Sequence, residues 1–224
     1  MLKVSNIKVM NWEGALRGMR NPMNSWHLGD TFNDPCKEEL ESPLGFSYPE
    51  IGPNDYSLMK RLAKAGPDHR KFLRQIFITI DIDAPLFFWK EFDTYAVGVT
   101  KNSCSTMHKI HSKEFTRDNF SVETCDDTVT GLVVDTLVGQ LNILRTKFNE
   151  TKDKKYWRQI IEILPSSYNQ LRTVTLNYEV AINIYKSRRH HKLSEWHTLC
   201  DLFEKFPYSE FITLKFEESH DDKS

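Results

Sequence analysis

Residues 76–83 set an isoleucine at every second position, with Ile76, Ile78, Ile80 and Ile82 alternating with Phe77, Thr79, Asp81 and Asp83. Successive strand side chains point to opposite faces, so four β-branched residues share one buried face, whereas a helix would scatter them around its circumference. The stretch from Phe72 to Asp83 is therefore predicted to be a strand, ended by Ala84-Pro85. The rest of the chain has to cover its apolar face.

Helical spacing supplies that cover. Leu86 to Tyr95 suits a helix that packs Phe87, Phe88 and Phe92, with Pro85 tolerated at its start. Ser57 to Ala65 carries Leu58, Met59, Leu62 and Ala63 in helical register until Gly66-Pro67 stops it. Thr130 to Phe148 has Val134, Leu137, Leu141, Leu144 and Phe148 on one stripe; Lys155 to Leu164 is a second, shorter helix closed by Pro165. Leu176 to Phe206 reads as one long helix or two in succession, finished before Pro207. Before Ser57, a short apolar alternation gives way to Gly14, Gly18, Pro22, Gly29, Pro35, Pro43 and Gly45, so residues 1–56 are predicted as a strand followed by long loops and turns. Glu217 to Ser224 is a polar tail expected to be disordered. The pattern predicts one α+β domain over residues 1–224, an antiparallel-rich sheet with covering helices, because 224 residues at 39% hydrophobic content can fill one sizeable core.

Charge narrows the function classes. Thirty basic and 31 acidic side chains leave a net charge of −1, and the cations are scattered, so general nucleic-acid binding is not expected. Met1 to Val9 lacks the apolar run of a signal peptide, and no later stretch has the length of a membrane helix, so a soluble, cytoplasmic protein without membrane contact is predicted. Cys36, Cys104, Cys125 and Cys200 lie far apart and are expected as reduced thiols. Neither Cys104, His108 and His111 nor His191, His197 and Cys200 shows paired-ligand spacing, so no metal is expected.

Two segments hold polar groups able to carry chemistry. Gly98 to Ser105 gathers hydroxyls, the Asn102 amide and the Cys104 thiol after the aromatic helix, which suits a phosphate or a heterocycle as well as an ordinary surface turn. Beyond Leu164-Pro165, Asn177 and Arg188 lie eleven positions apart, close to three helical turns, with Asn183 rotated away. An amide and a guanidinium on a shared face could read a ring edge or a phosphate, or could belong to a solvated face with Lys186, Arg189 and Lys192.

Together these segments, over residues 57–206, resemble the flavin-dependent thymidylate synthases. In that family a strand ending in Ala-Pro leads through a helix to Arg-His-Arg and then Asn-Glu-x-Ser-x-Arg-Tyr. Ile78 to Pro85 matches the strand, Asn102 and Ser105 match the motif Asn and Ser, and His69 matches a flavin-contacting histidine. Leu164-Pro165 matches the family's Leu-Pro, with Asn177 and Asn183 on flavin-binding asparagines and Arg188 on an arginine that orients the pyrimidine. The resemblance implies a homotetramer with sites between subunits, FAD as cofactor, and reductive methylation of dUMP, a pyrimidine nucleotide, with methylene-tetrahydrofolate and NADPH. Thr94-Tyr95-Ala96 stands where the family has Arg-His-Arg, Ser103 replaces the motif glutamate, and Met107-His108 replaces the closing Arg-Tyr, whose arginine holds the nucleotide phosphate. Lys101, Lys109 and Arg172 are the cations that could take its place. Glu179 occupies the position of a flavin-contacting arginine, where a carboxylate would repel a pyrophosphate. The departures leave two other readings: an inactive nucleotide-binding or regulatory relative, and a flavoenzyme acting on another pyrimidine.

Overall fold

The computed structural model describes residues 2–32 and 39–216. Its strands and helices are β1 (Lys3–Met10), α1 (Trp12–Arg20), β2 (Glu39–Glu41), β3 (Ser47–Pro49), α2 (Pro53–Lys64), β4 (Phe77–Pro85), α3 (Leu86–Phe92) and β5 (Thr100–Ser103). They continue with α4 (Thr128–Thr151), α5 (Lys154–Ile163), β6 (Asn169–Asn177), α6 (Tyr178–Arg188), α7 (Ser194–Phe203) and α8 (Glu210–Thr213). A four-stranded sheet has the order β1-β4-β6-β5, and β2 pairs with β3 as an antiparallel ribbon. The expected α+β class, helices with an antiparallel sheet, is the observed one.

Backbone contacts divide the chain into two compact units. One takes in 2–4, Asp81–Thr94 and Lys101–Thr173; the other takes in the described parts of 5–80, Tyr95–Thr100 and 174–216. In the first unit, Phe88, Trp89 and Phe92 of α3 are almost fully buried and meet edge-on or tilted. A second apolar cluster joins Leu141 of α4 and Ile160 of α5 to Ile110, Phe115 and Phe120. In the second unit, α6 packs against α7 and α8, and Trp12 lies edge-on to both Tyr178 and Tyr208. The four alternating isoleucines are completely buried.

Several boundaries differ from the sequence-based expectation, for identifiable reasons. Residues 1–56 contain a full amphipathic helix, α1, which buries Trp12, Ala15, Leu16 and Met19. Gly14 and Gly18 argued against it, yet both are sites of close approach. A Cβ on Gly14 would lie 2.5 Å from Asn11 Oδ1, and one on Gly18 would lie 2.5 Å from Gln75 Oε1. Lys71–Arg74 forms a 3-10 turn, so β4 starts later than predicted and runs through Ala84-Pro85. The polar loop from Gly98 contains strand β5, and β6 occupies Asn169–Asn177, so the helix expected from Leu176 begins only at Tyr178. The predicted tail at 217–224 and Cys36 lie outside the described residues.

Among the described residues no helix is long and apolar enough to cross a membrane. On α3, Phe88, Trp89 and Phe92 are covered within this chain. Exposed apolar side chains among the described residues include Val97 and Met23, at 91% and 81%, and on α4 the near-neighbours Val129, Leu132 and Val133, at 71%, 66% and 64%.

Candidate functional site

In the second unit, Asn177 caps α6 and Asn183 and Arg188 stand on it. Asn177 leaves β6 in an extended conformation and caps the helix, its side-chain oxygen accepting the Val180 N–H at 3.0 Å. The cap satisfies one of the otherwise unpaired N–H groups of the first turn. Asn177 therefore stands outside the helix and does not share a helical face with Arg188, which corrects the eleven-residue spacing argument. Gly98, at φ +75°, comes so close that a Cβ there would lie 3.2 Å from both Asn177 Nδ2 and Val180 Cγ2. Both the positive φ and the close approach favour glycine at this position.

The other end of α6 holds Arg188. Its Nε donates to the Tyr95 hydroxyl at 3.1 Å, and its guanidinium lies 4.9 Å from the centre of the Trp196 ring. Residues 95–100 thus run beside α6, with Tyr95 at one end and Gly98 at the other. Tyr95 fills the centre of the Thr94-Tyr95-Ala96 stretch noted in the sequence. Asn183 is exposed on α6, and His69 is exposed in the turn after α2.

Glu179 does not present a bare charge. It is buried at 8% exposure, and Arg70, buried at 4%, donates to both carboxylate oxygens at 2.8 Å through Nε and Nη2. A bidentate pair of this kind neutralises both partners. The expected repulsion of a pyrophosphate by Glu179 is thereby removed. Sequence reading missed Arg70 as its partner, since 109 positions separate the two.

The first unit carries Asn102 and Ser105. Asn102 is exposed on β5. Ser105 Oγ accepts the N–H groups of Met107 and His108 at 3.1 and 2.9 Å, so it shapes the turn that follows the strand. Beside it opens a cleft of about 560 Å³, lined among others by Asp83, Ser105, Lys109, Lys113, Phe115 and Tyr168. Burial, with Asp83 and Cys104 beside it, pushes the Tyr168 phenol above its ordinary value, so it stays a proton donor at neutral pH.

Two of the three substitute cations are already committed. Asp93 receives Lys101 at 2.9 Å and Arg172 at 2.9 Å, and Arg172 also stacks 4.3 Å from the Trp89 ring centre. Burial alone would raise the Asp93 carboxyl, but these two cations hold it below its ordinary value. Lys109 lines the cleft, together with Lys113, which the sequence reading did not single out. Among the described residues, no group of three or more His, Cys, Asp or Glu is arranged to hold a metal ion.

No protein-family model matches the sequence, and no curated protein does. Solved structures do match the fold. Thymidylate synthase X of Helicobacter pylori, crystallised with FAD and dUMP, superposes with a TM-score of 0.62 at 16% identity, over 94% of this chain and 96% of that one. A further structure of the flavin-dependent enzyme from H. pylori, also complexed with FAD and dUMP, gives the same score and identity. The UMP/dUMP methylase PolB of Streptomyces cacaoi, bound with 5-bromo-dUMP, matches at a TM-score of 0.55 and 13% identity over 91% of this chain and 88% of that one. The chain thus shares the fold of flavin-dependent thymidylate synthases.

Proposed function

We propose that this protein binds FAD and a pyrimidine nucleotide, and that it descends from an enzyme of reductive nucleotide methylation. The observation that carries this is the superposition, over nearly the whole of both chains, on a protein crystallised with those two ligands. Around α6, His69, Asn177 and Asn183 would hold the flavin, with Asn177 offering Nδ2 while its oxygen caps the helix. Arg188 would orient the pyrimidine, and Asn102 with Ser105 would line the nucleotide pocket. The polar groups fit FAD in part: Asn183 and His69 are exposed, Asn177 is buried with its side-chain oxygen on the helix cap, and the Arg70–Glu179 pair is neutral. Reduced flavin, when bound, supplies a hydride equivalent. The chain's own task is to orient the ligands and exclude water.

Reduction by NADPH and methyl transfer from methylene-tetrahydrofolate belong to the full reading. So do a homotetramer, supported by the exposed α4 face, and a cytoplasmic location. A second reading, a flavoenzyme for a different pyrimidine nucleotide, is favoured by Met107. That residue carries no charge where the resemblance calls for a phosphate-binding arginine, and its carbonyl is tied to Trp157 Nε1 at 2.8 Å.

Titration of the purified chain with FAD, followed by flavin fluorescence and visible absorbance, tests cofactor binding. Saturable quenching is expected, and its absence at high micromolar FAD would remove the flavin from the proposal. Supplying dUMP, methylene-tetrahydrofolate and NADPH to the FAD-loaded protein separates the two readings. Little or no dTMP is expected, and many turnovers would overturn the second reading.

A further inference from the structure

We infer that Lys109 and Lys113 hold the phosphate of the bound nucleotide in the cleft beside Ser105. The inference rests on the proposal that this cleft takes a pyrimidine nucleotide.

The segment bearing the two lysines is pinned from beneath. Met107 O accepts Trp157 Nε1 of α5 at 2.8 Å, and His111 O accepts Asn149 Nδ2 of α4 at 3.3 Å. Phe115 exchanges two hydrogen bonds with the Asn142 amide, at 2.9 and 2.8 Å. Ile110 and Phe115 are buried at 5% and 4% exposure, and the His111 ring lies 4.6 Å from that of Phe148. Lys109 and Lys113 alternate with these anchors, so a fixed backbone carries two flexible ammonium groups to the cleft. Fixing the framework in advance lowers the ordering cost of binding.

Charge points the same way. Among the described residues, no carboxylate forms an ion pair with Lys109 or Lys113, whereas Lys101 and Arg172 are both held by Asp93. His111 adds no charge at neutral pH, since burial and the nearby Lys152 and Lys109 hold its pKa below the ordinary value. The same lining carries the Asp83 carboxylate and the Tyr168 phenol, which lie close enough to influence one another. A ligand that has both a ring N–H and a dianion complements this set of groups. That is the chemistry of a pyrimidine nucleoside monophosphate, and an ammonium suits its phosphate as a point charge.

Calorimetric titration of the full chain with dUMP and with deoxyuridine provides the test. The double variant K109Q/K113Q should lose about ten- to a hundredfold in dUMP affinity, the scale of one charge-assisted contact or two weaker ones, while deoxyuridine binding stays unchanged. Added salt should weaken dUMP binding in the wild type more steeply than in the variant. Glu114→Gln, which removes a carboxylate from the cleft lining, should strengthen dUMP binding, and Lys101→Gln should leave it unchanged. Unchanged dUMP affinity in K109Q/K113Q, with an unaltered melting temperature, would overturn the role of the lysines and leave the nucleotide reading standing. Equal losses for nucleotide and nucleoside would make the lysines structural and overturn it too. A wild-type chain that binds neither ligand would bring down the nucleotide reading, and this inference with it.

Discussion

Replacing Asn177 with alanine separates a structural role from a ligand-binding one. The side-chain oxygen accepts the Val180 N–H, and both residues are buried, at 8% and 7% exposure. Removing a helix cap costs about 1 kcal/mol. Leaving a buried N–H without a partner adds to that, so a loss of about 1.5 kcal/mol is expected. For a chain of this size, that lowers the melting temperature by about 4 °C. Asn177→Asp keeps the cap, because a carboxylate accepts the same bond and favours a helix N-terminus, so most of the stability should return. It lacks Nδ2, however, and so should still weaken FAD binding. Differential scanning calorimetry of the two variants, with FAD titrations beside it, reads both effects. An alanine variant as stable as the wild type would refute the capping argument. An aspartate variant that binds FAD as the wild type does would remove Nδ2 from the flavin site.

Arg70→Met strands the Glu179 carboxylate in the interior and should cost about 3–5 kcal/mol in urea denaturation, whereas R70M/E179L should recover most of it; additive losses would contradict a closed pair. Burial alone would raise the Asp55 carboxyl, but the Thr31 hydroxyl, the Arg20 guanidinium and the Asp30 amide together hold it below the ordinary value. Its stabilisation is therefore present above the unfolded pKa of about 3.9 and is lost as pH falls through the lower folded value, so Asp55→Asn should flatten the acid limb of the stability profile; a parallel limb would refute this. The double variant L132D/V133D, on the exposed apolar side of α4, should shift light scattering from an oligomer to a monomer of 26.3 kDa, and an unchanged mass would take that surface out of the assembly.

The legible parts of the fold are those in which period and burial agree. Ile76, Ile78, Ile80 and Ile82 announced β4 because each of them is completely buried. Leu141 and its neighbours announced α4 because one stripe faces the cluster of Ile110, Phe115 and Phe120. Helix α1 was hidden because Gly14 and Gly18 signal a loop by composition, whereas here they make room for the side chains of Asn11 and Gln75. Strand β6 was hidden because Asn169, Arg172 and Thr173 dilute its alternation, so that only Gln170, Val174, Leu176 and Asn177 are buried. Strand β5 is four residues long and mostly exposed, which leaves no apolar period to read.

The candidate site follows the same division. A residue type at a given position is legible from sequence, but whether its charge is available depends on partners far away in the chain. Glu179 reads as a carboxylate facing a ligand until Arg70, 109 positions earlier, is found bonded to both of its oxygens. Lys101 and Arg172 read as spare cations until Asp93 is found between them. Each pairing withdraws a charge that local sequence seemed to offer, and the subtraction leaves Lys109 and Lys113 in the cleft. Conventional site positions lost to substitution are thus a poor guide to lost binding, because the electrostatics of a cleft depend on which charges remain unpaired after folding.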